Sequence, residues 1–285
     1  FLGGNMRNNQ DRLGLGVPNE NLQSSTEPPQ EVPSQVQFIV PTEIVELPSG
    51  GLFYPEGHPL HGRDTVEIKH MTTKEEDILT NKSFIKNGTV IDRLLKSVIV
   101  EPKVNVSDIL VGDKNALVVA CRKYGYGSEY TTKVSCNSCG APQKYTFDLE
   151  EIENIDFQSN LDYYDASIDY ENQTVTLPIP RTKTKLELRI LKDERNPQAN
   201  KKRKDTNLVS KQYKKIIFSV NDNSDPRYIQ SYIDSMSALD SRYLRAAYNK
   251  IVPGVDFSCE FECSECGAET KMEVPLNAEF FWPDA

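Results

Sequence analysis

Two short stretches far apart in the chain can be laid over each other without a gap. Tyr130 to Leu149 reads YTTKVSCNSCGAPQKYTFDL, and Phe257 to Leu276 reads FSCEFECSECGAETKMEVPL. Cys136 then falls on Cys263, Cys139 on Cys266, Gly140 on Gly267, Ala141 on Ala268 and Lys144 on Lys271. Each half is a strand pattern, a C-x-x-C-G knuckle and a second strand pattern. Two residues between the cysteines let a tight turn aim both sulfurs at one ion, and the following Gly permits the positive φ of such a turn. Two knuckles supply four thiolates, the ligand set of a closed tetrahedral zinc site with no position left for water. The expected ligands of a structural Zn2+ are therefore Cys136, Cys139, Cys263 and Cys266. Disulfides or a redox dithiol are the alternatives. A redox C-x-x-C usually opens a helix rather than joining two strands, and the chain does not resemble a small disulfide-stapled secreted domain. Cys259 shares strand parity with Phe257 and Phe261 and reads as a buried free thiol. Cys121, in the apolar run from Ala116, reads as core packing.

Composition narrows the classes. A chain of 285 residues is long enough for one large domain or two modest ones. Its net charge of −9 argues against general nucleic-acid binding, because phosphate contacts need excess Lys and Arg. No apolar run approaches the roughly 20 residues of a membrane span. The first residues lack the basic and apolar regions of a signal peptide, and Phe1 is either a processed or an incomplete start.

The fold class expected is α+β: an N-terminal α/β segment plus a zinc-ribbon-like β unit split by a long, mostly helical insertion. The organisation is an extended or disordered arm over 1–35, the α/β segment over 36–129, ribbon halves over 130–149 and 257–276, the insertion over 150–256 and an aromatic tail over 277–285. The arm has few large apolar side chains, so burial cannot offset its chain entropy. It is either a dispensable tail or a segment that orders on a partner. From Leu47 to Gly62, LPSGGLFYPEGHPLHG excludes regular structure, with Leu52, Phe53 and Tyr54 as apolar anchors. It has no phosphate-loop pattern. His58 and His61 have metal-compatible spacing but no acidic or thiol pair nearby, and His70 has no evident partner.

Helical signals follow. Thr73 to Glu76 reads as a capping box opening a helix through Leu79. Thr89 and Asp92 start a second helix with Leu94, Leu95 and Val98 inward, and Asp113 to Tyr124 is a third. Thr174 to Pro178 and Lys185 to Ile190 read as a hairpin. Glu150, Glu151 and Glu153 read as a solvated face, not as paired catalytic carboxylates. Residues 201–215 carry Lys201, Lys202, Arg203, Lys204, Lys211, Lys214 and Lys215, either a solvated basic start or a contact to an acidic partner surface, on a helix whose apolar side runs from Leu208 through Tyr213 to Val220. Asp225 and Asp240 read as caps of two more helices. Phe280, Phe281 and Trp282 either dock on the chain's own core or anchor a partner.

The segment VELPSGGLFYPEGHPLHGRDTVEIKHMTTKEEDILTN, Val45 to Asn81, resembles the opening motif of the T4-type bacteriophage baseplate hub protein family. Further matching stretches are VIDRLLKSVIV, GDKNAL, CRKYGYGSEY, the first C-x-x-C-G, DSRYLR, PGVDFSCEFECSECG and the FFWP ending. The resemblance covers about Val45 to the end. It implies a protein of a contractile phage tail, located at the baseplate of the virion and assembled in the host cytoplasm. Its partners would be other baseplate, hub or tail-tube proteins, with no nucleic acid, membrane or small-molecule substrate. Two roles are open: a structural component of the hub, or an assembly chaperone absent from the mature virion. The resemblance also implies that Cys136, Cys139, Cys263 and Cys266 are the family's two cysteine pairs. An enzyme is disfavoured, since no Ser-His-Asp order, H-E-x-x-H or phosphate loop is present. A zinc-ribbon nucleic-acid binder is disfavoured by Glu260, Glu262, Glu265 and Glu269 around the second knuckle.

Overall fold

Alternating apolar and polar residues on either side of the Gly/Pro-rich loop form Thr42–Glu46 (β1) and Thr65–Lys69 (β2). They pair antiparallel, with Val45 opposite Val66. The computed structural model describes residues 39–192, 208–276 and 280–281. The expected arm over 1–35 and the four basic residues at 201–204 lie outside these, and the elements from Val40 onward form one unit.

The loop between β1 and β2 is irregular but packed. Phe53, Tyr54 and Leu60 are buried, whereas Leu52, expected as an anchor, is 39% exposed. What fixes the loop is a buried carboxylate. Asp113 accepts from the Ser49 backbone N–H (2.9 Å), the Ser49 hydroxyl (2.6 Å) and the Tyr54 hydroxyl (2.7 Å). Burial pushes the Asp113 carboxyl above its usual range, and these three hydrogen bonds pull it back. Gly51 is required on two counts. Its φ is +71°, and a Cβ there would lie 2.4 Å from the Arg63 backbone.

Four helices follow. Thr73–Thr80 (α1) begins at Thr72, whose backbone N–H donates to Glu75 (2.9 Å), so the capping box spans Thr72 to Glu75, one residue before the expected Thr73 to Glu76. Lys82–Asn87 (α2) is a short helix that the sequence pattern does not announce. Asn81 caps it, and Gly88, at φ 67°, stops it. Val90–Val98 (α3) buries Leu94, Leu95 and Val98 as the spacing predicts. Val111–Tyr126 (α4) is the long central helix. At its start a Cβ on Gly112 would lie 2.2 Å from the Pro253 carbonyl, so only glycine allows the contact with that turn.

The chain then forms Glu129–Ser135 (β3) and Pro142–Asp148 (β4), the first ribbon half. The insertion holds Glu153–Asn154 (β5), Phe157–Tyr163 (α5), Ser167–Asp169 (β6), Thr174–Ile179 (β7), Thr184–Arg189 (β8), Leu208–Ile216 (α6), Ile217–Val220 (β9), Pro226–Ser235 (α7) and Ala238–Ile251 (α8). Val255–Asp256 (β10), Ser258–Glu262 (β11) and Glu269–Glu273 (β12) complete the described elements. The fold class is α+β, with small antiparallel sheets among the helices. The largest has the order β6-β7-β8-β9.

Two expectations are corrected. Ile217 to Val220 does not continue α6. Its apolar residues join the sheet, with Leu188 opposite Ile217 and Leu186 opposite Val220, because two β-branched side chains here fit a pleated edge better than a helix turn. Ser237, not Asp240, caps α8, its side chain accepting from the Asp240 N–H (3.1 Å). The insertion thus carries a four-stranded sheet among its helices. The buried residues of all these elements form one hydrophobic cluster.

Glu75 is fully buried beneath α3. Burial alone would raise its pKa, but hydrogen bonds from Ser97 and Thr72, with Lys69 3.7 Å away, lower it from 4.5 to about 2. A carboxylate lowered in the folded state contributes stability that is present above its ordinary pKa and lost as pH falls through the folded one. Glu75→Gln is therefore expected to cost about 2 kcal/mol at pH 7. Urea midpoints should show a smaller loss of stability for the variant than for wild type between pH 4.5 and about 2.

Candidate metal centre

The ribbon is built from two hairpins of like construction. In the first, Val134 pairs with Gln143 and Ser135 with Pro142; in the second, Phe261 pairs with Thr270 and Glu262 with Glu269. Each knuckle closes by the same two backbone bonds. Gly140 N–H donates to the Cys136 carbonyl (2.9 Å), and Cys136 N–H donates to Ala141 (2.9 Å). The counterparts are Gly267 to Cys263 (2.9 Å) and Cys263 to Ala268 (3.1 Å). Gly140 and Gly267 have φ of 75° and 64°, the left-handed conformation that glycine adopts without steric cost.

These turns bring the four expected ligands together. The sulfurs of Cys136, Cys139, Cys263 and Cys266 all lie within 4.8 Å of one another. Two pairs that cross the halves, Cys136 Sγ to Cys266 Sγ and Cys139 Sγ to Cys263 Sγ, are each 3.8 Å apart. Four sulfurs about 2.3 Å from a central ion in a tetrahedron stand about 3.8 Å apart, so the cluster is close enough to hold one metal ion. All six cysteines are free thiols. The Cys139 and Ser138 N–H groups bring the Cys136 thiol down to about 6. The Ala268 N–H acts the same way on Cys266, but the neighbouring thiols Cys139 and Cys263 outweigh it and push that thiol up to about 12.

The remaining cysteines lie apart from the cluster's chemistry. Cys259 is buried on the inner face of β11, in the place that Thr132 takes on β3. Cys121 is buried in α4, and burial raises its thiol to about 12. The histidines do not gather. His58 stacks on Tyr54 at 4.5 Å, and His61 Nδ1 donates to the Tyr54 carbonyl (2.6 Å). His70 does have a partner, Glu43 at 3.0 Å.

Sequence reasoning misses the side chains that bridge the two halves. Gln143 donates to the Glu262 carbonyl (3.2 Å) and accepts from the Ser264 N–H (3.1 Å). The Tyr145 hydroxyl donates to the Glu260 carbonyl (3.0 Å), with its ring 4.9 Å from Phe261. The available signal is a mismatch in the overlay, since the second hairpin carries Thr270 and Met272 at those places.

Phe280 packs against the first strand of the ribbon. Arg122, fully buried, donates to the Phe280 carbonyl (2.7 Å), the Glu129 carbonyl (2.8 Å) and the Gly127 carbonyl. The Phe280 ring meets Tyr130 edge-on at 5.2 Å, and the Tyr130 hydroxyl donates to Pro275 (3.1 Å). Phe280 and Phe281 thus dock on the chain's own core, while Trp282 lies outside the described residues.

The family model described as T4 bacteriophage base plate protein matches residues 40–282. No curated protein and no solved structure matches the chain.

Phe280→Ala empties a buried ring site and is expected to cost about 3–5 kcal/mol. Phe280→Leu should recover most of that loss. Thermal melts of the two variants check this, and equal melting of the alanine variant and wild type would place Phe280 outside the core.

Proposed function

The chain belongs to the T4 bacteriophage base plate protein family, and on that premise we propose that it is a structural component of the hub region of a contractile phage tail baseplate. It works by protein–protein contact, without catalysis, and one structural zinc holds its ribbon closed. The observation that carries the zinc reading is the cluster of four sulfurs within 4.8 Å, drawn from two hairpins distant in sequence. Four thiolates complete a tetrahedron and leave no open position for a substrate or an activated water, which is the arrangement of a structural ion.

The surroundings support a protein partner over a phosphate backbone. Glu260, Glu262, Glu265 and Glu269 are all exposed around the second knuckle, where they repel phosphate. Among the described residues no helix is long and apolar enough to cross a membrane.

Two measurements test the proposal. Mass spectrometry of purified particles is expected to find a fixed copy number of the chain per virion. Its absence from particles, with presence on hub intermediates in infected cells, would make it an assembly chaperone instead. Elemental analysis of the isolated protein is expected to give about one zinc per chain. Cys136→Ser and Cys263→Ser should abolish zinc binding and unfold the ribbon, while Cys259→Ala should keep the full zinc content. Full stability of the serine variants in metal-free buffer would contradict the zinc reading.

A further inference from the structure

Strand β1 leaves one edge unpaired. In its ladder with β2 the His70 N–H donates to the Pro41 carbonyl (2.9 Å) and the Leu47 N–H to the Asp64 carbonyl (2.7 Å). Between them Glu43 lies opposite Ile68 and Val45 opposite Val66. Backbone groups alternate in direction along an antiparallel strand, so Thr42, Ile44 and Glu46 aim their N–H and C=O groups away from β2. β2 keeps the same alternation, since Glu67, opposite Ile44, accepts from the Val100 N–H on its own far side (3.0 Å). The sheet has the order β1-β2, and among the described residues no backbone bond reaches Thr42, Ile44 or Glu46 from the outer side.

Soluble proteins guard such an edge with a lysine, a proline, a bulge or a covering segment. Here the register with β2 runs unbroken, and the middle of the edge carries Ile44, 70% exposed on the face away from the core. Thr42 and Glu46 on either side of it are exposed too. The flanking prolines do not blunt the edge. Pro41 gives up an N–H on the paired side, and Pro48, two residues beyond Glu46, ends the outward series because it has no N–H. The outer edge of β1 is thus a run of three outward residues centred on Ile44.

We propose that two copies of this chain pair β1 against β1, antiparallel about a two-fold axis at Ile44, in one continuous sheet of order β2-β1-β1-β2. The edge fits itself. Ile44 of one copy lies opposite Ile44 of the other, and Thr42 lies opposite Glu46. Each of these is a hydrogen-bonded pair that exchanges both its N–H···O bonds. The two isoleucines cover each other's apolar surface, and the Thr42 hydroxyl donates to the Glu46 carboxylate. No like charges stand opposite, because Glu43 meets Val45. Moving the register by two residues either way pairs only two of the three outward residues of β1 and sets Ile44 opposite Glu46 or Thr42. Moving it by one sets outward groups against groups already bonded to β2. The contact is isologous and closes at two copies. The proposal rests on the reading that the chain works through protein contacts and names one of them. It does not depend on the zinc.

The test is sedimentation velocity of the full chain across a concentration series. Wild type is expected to run as monomer and dimer, with nothing larger. Ile44→Lys and Ile44→Glu each set like charges against each other at the axis and should weaken dimerisation on the order of tenfold or more. An equimolar mixture of the two variants should restore the dimer, because opposite charges then meet at the one position that faces itself. Thr42→Pro removes an outward N–H that β2 does not use, and should weaken the dimer as well. All three variants should keep wild-type zinc content and circular dichroism. A wild-type monomer at every concentration overturns the proposal, whether or not the edge takes a strand of another protein. So does a dimer that survives any of these variants, a mixture that stays monomeric, or a species larger than the dimer. A dimer that forms but never enters particles would instead count against the baseplate reading alone.

Discussion

The meeting of the two knuckles is the constraint on which the architecture depends. The chain leaves the ribbon after β4 and must come back to within a few ångströms of it at β11. Everything between is an excursion whose ends are tied together. The tie continues below the sulfurs. β5 pairs with β10, with Glu153 opposite Asp256, and the Ile155 N–H donates to the Gly254 carbonyl (2.8 Å). Closing so long a loop costs chain entropy that short backbone ladders offset poorly. A structural zinc is worth on the order of 10 kcal/mol in small finger peptides, comparable with the whole stability of a domain. The side-chain bridges from Gln143 and Tyr145 align the halves but cannot match that magnitude, since each is a hydrogen bond worth about 1 kcal/mol.

A second axis runs along α4. Near its N-terminus Asp113 gathers the Ser49 and Tyr54 donors, which fastens the glycine-rich loop. Near its C-terminus Arg122 gathers carbonyls from Gly127, Glu129 and Phe280, which fastens the start of β3 and the tail. Both charges are buried, and each is matched by several hydrogen bonds, the condition under which a buried charge is tolerated. One helix thus connects the glycine-rich loop to Phe280, with the ribbon beside it.

The ribbon was legible because its information is local and repeated. Each knuckle needs only two cysteines, a glycine and two alternating strands, and the overlay of Cys136 on Cys263 shows the pairing of halves directly. The apolar stripes of α3 and α4 were legible for the same reason. What the sequence hides is tertiary. The run Ile216 to Val220 is apolar enough for either a helix or a strand, and only the register with Leu186 and Leu188 decides for a strand. Neither Asp113 nor Arg122 differs in sequence from an ordinary surface charge, because each depends on a distant partner, Ser49 64 residues away for Asp113 and Phe280 158 away for Arg122. Likewise His70 acquires its partner only when β1 and β2 pair.

X-ray absorption at the zinc edge of the purified chain, loaded to one equivalent, tests the central claim most directly. The account predicts a single shell of four sulfurs at about 2.3 Å, with no nitrogen or oxygen ligand. A shell containing light atoms, or a chain that refuses zinc while its ribbon stays folded, would contradict it.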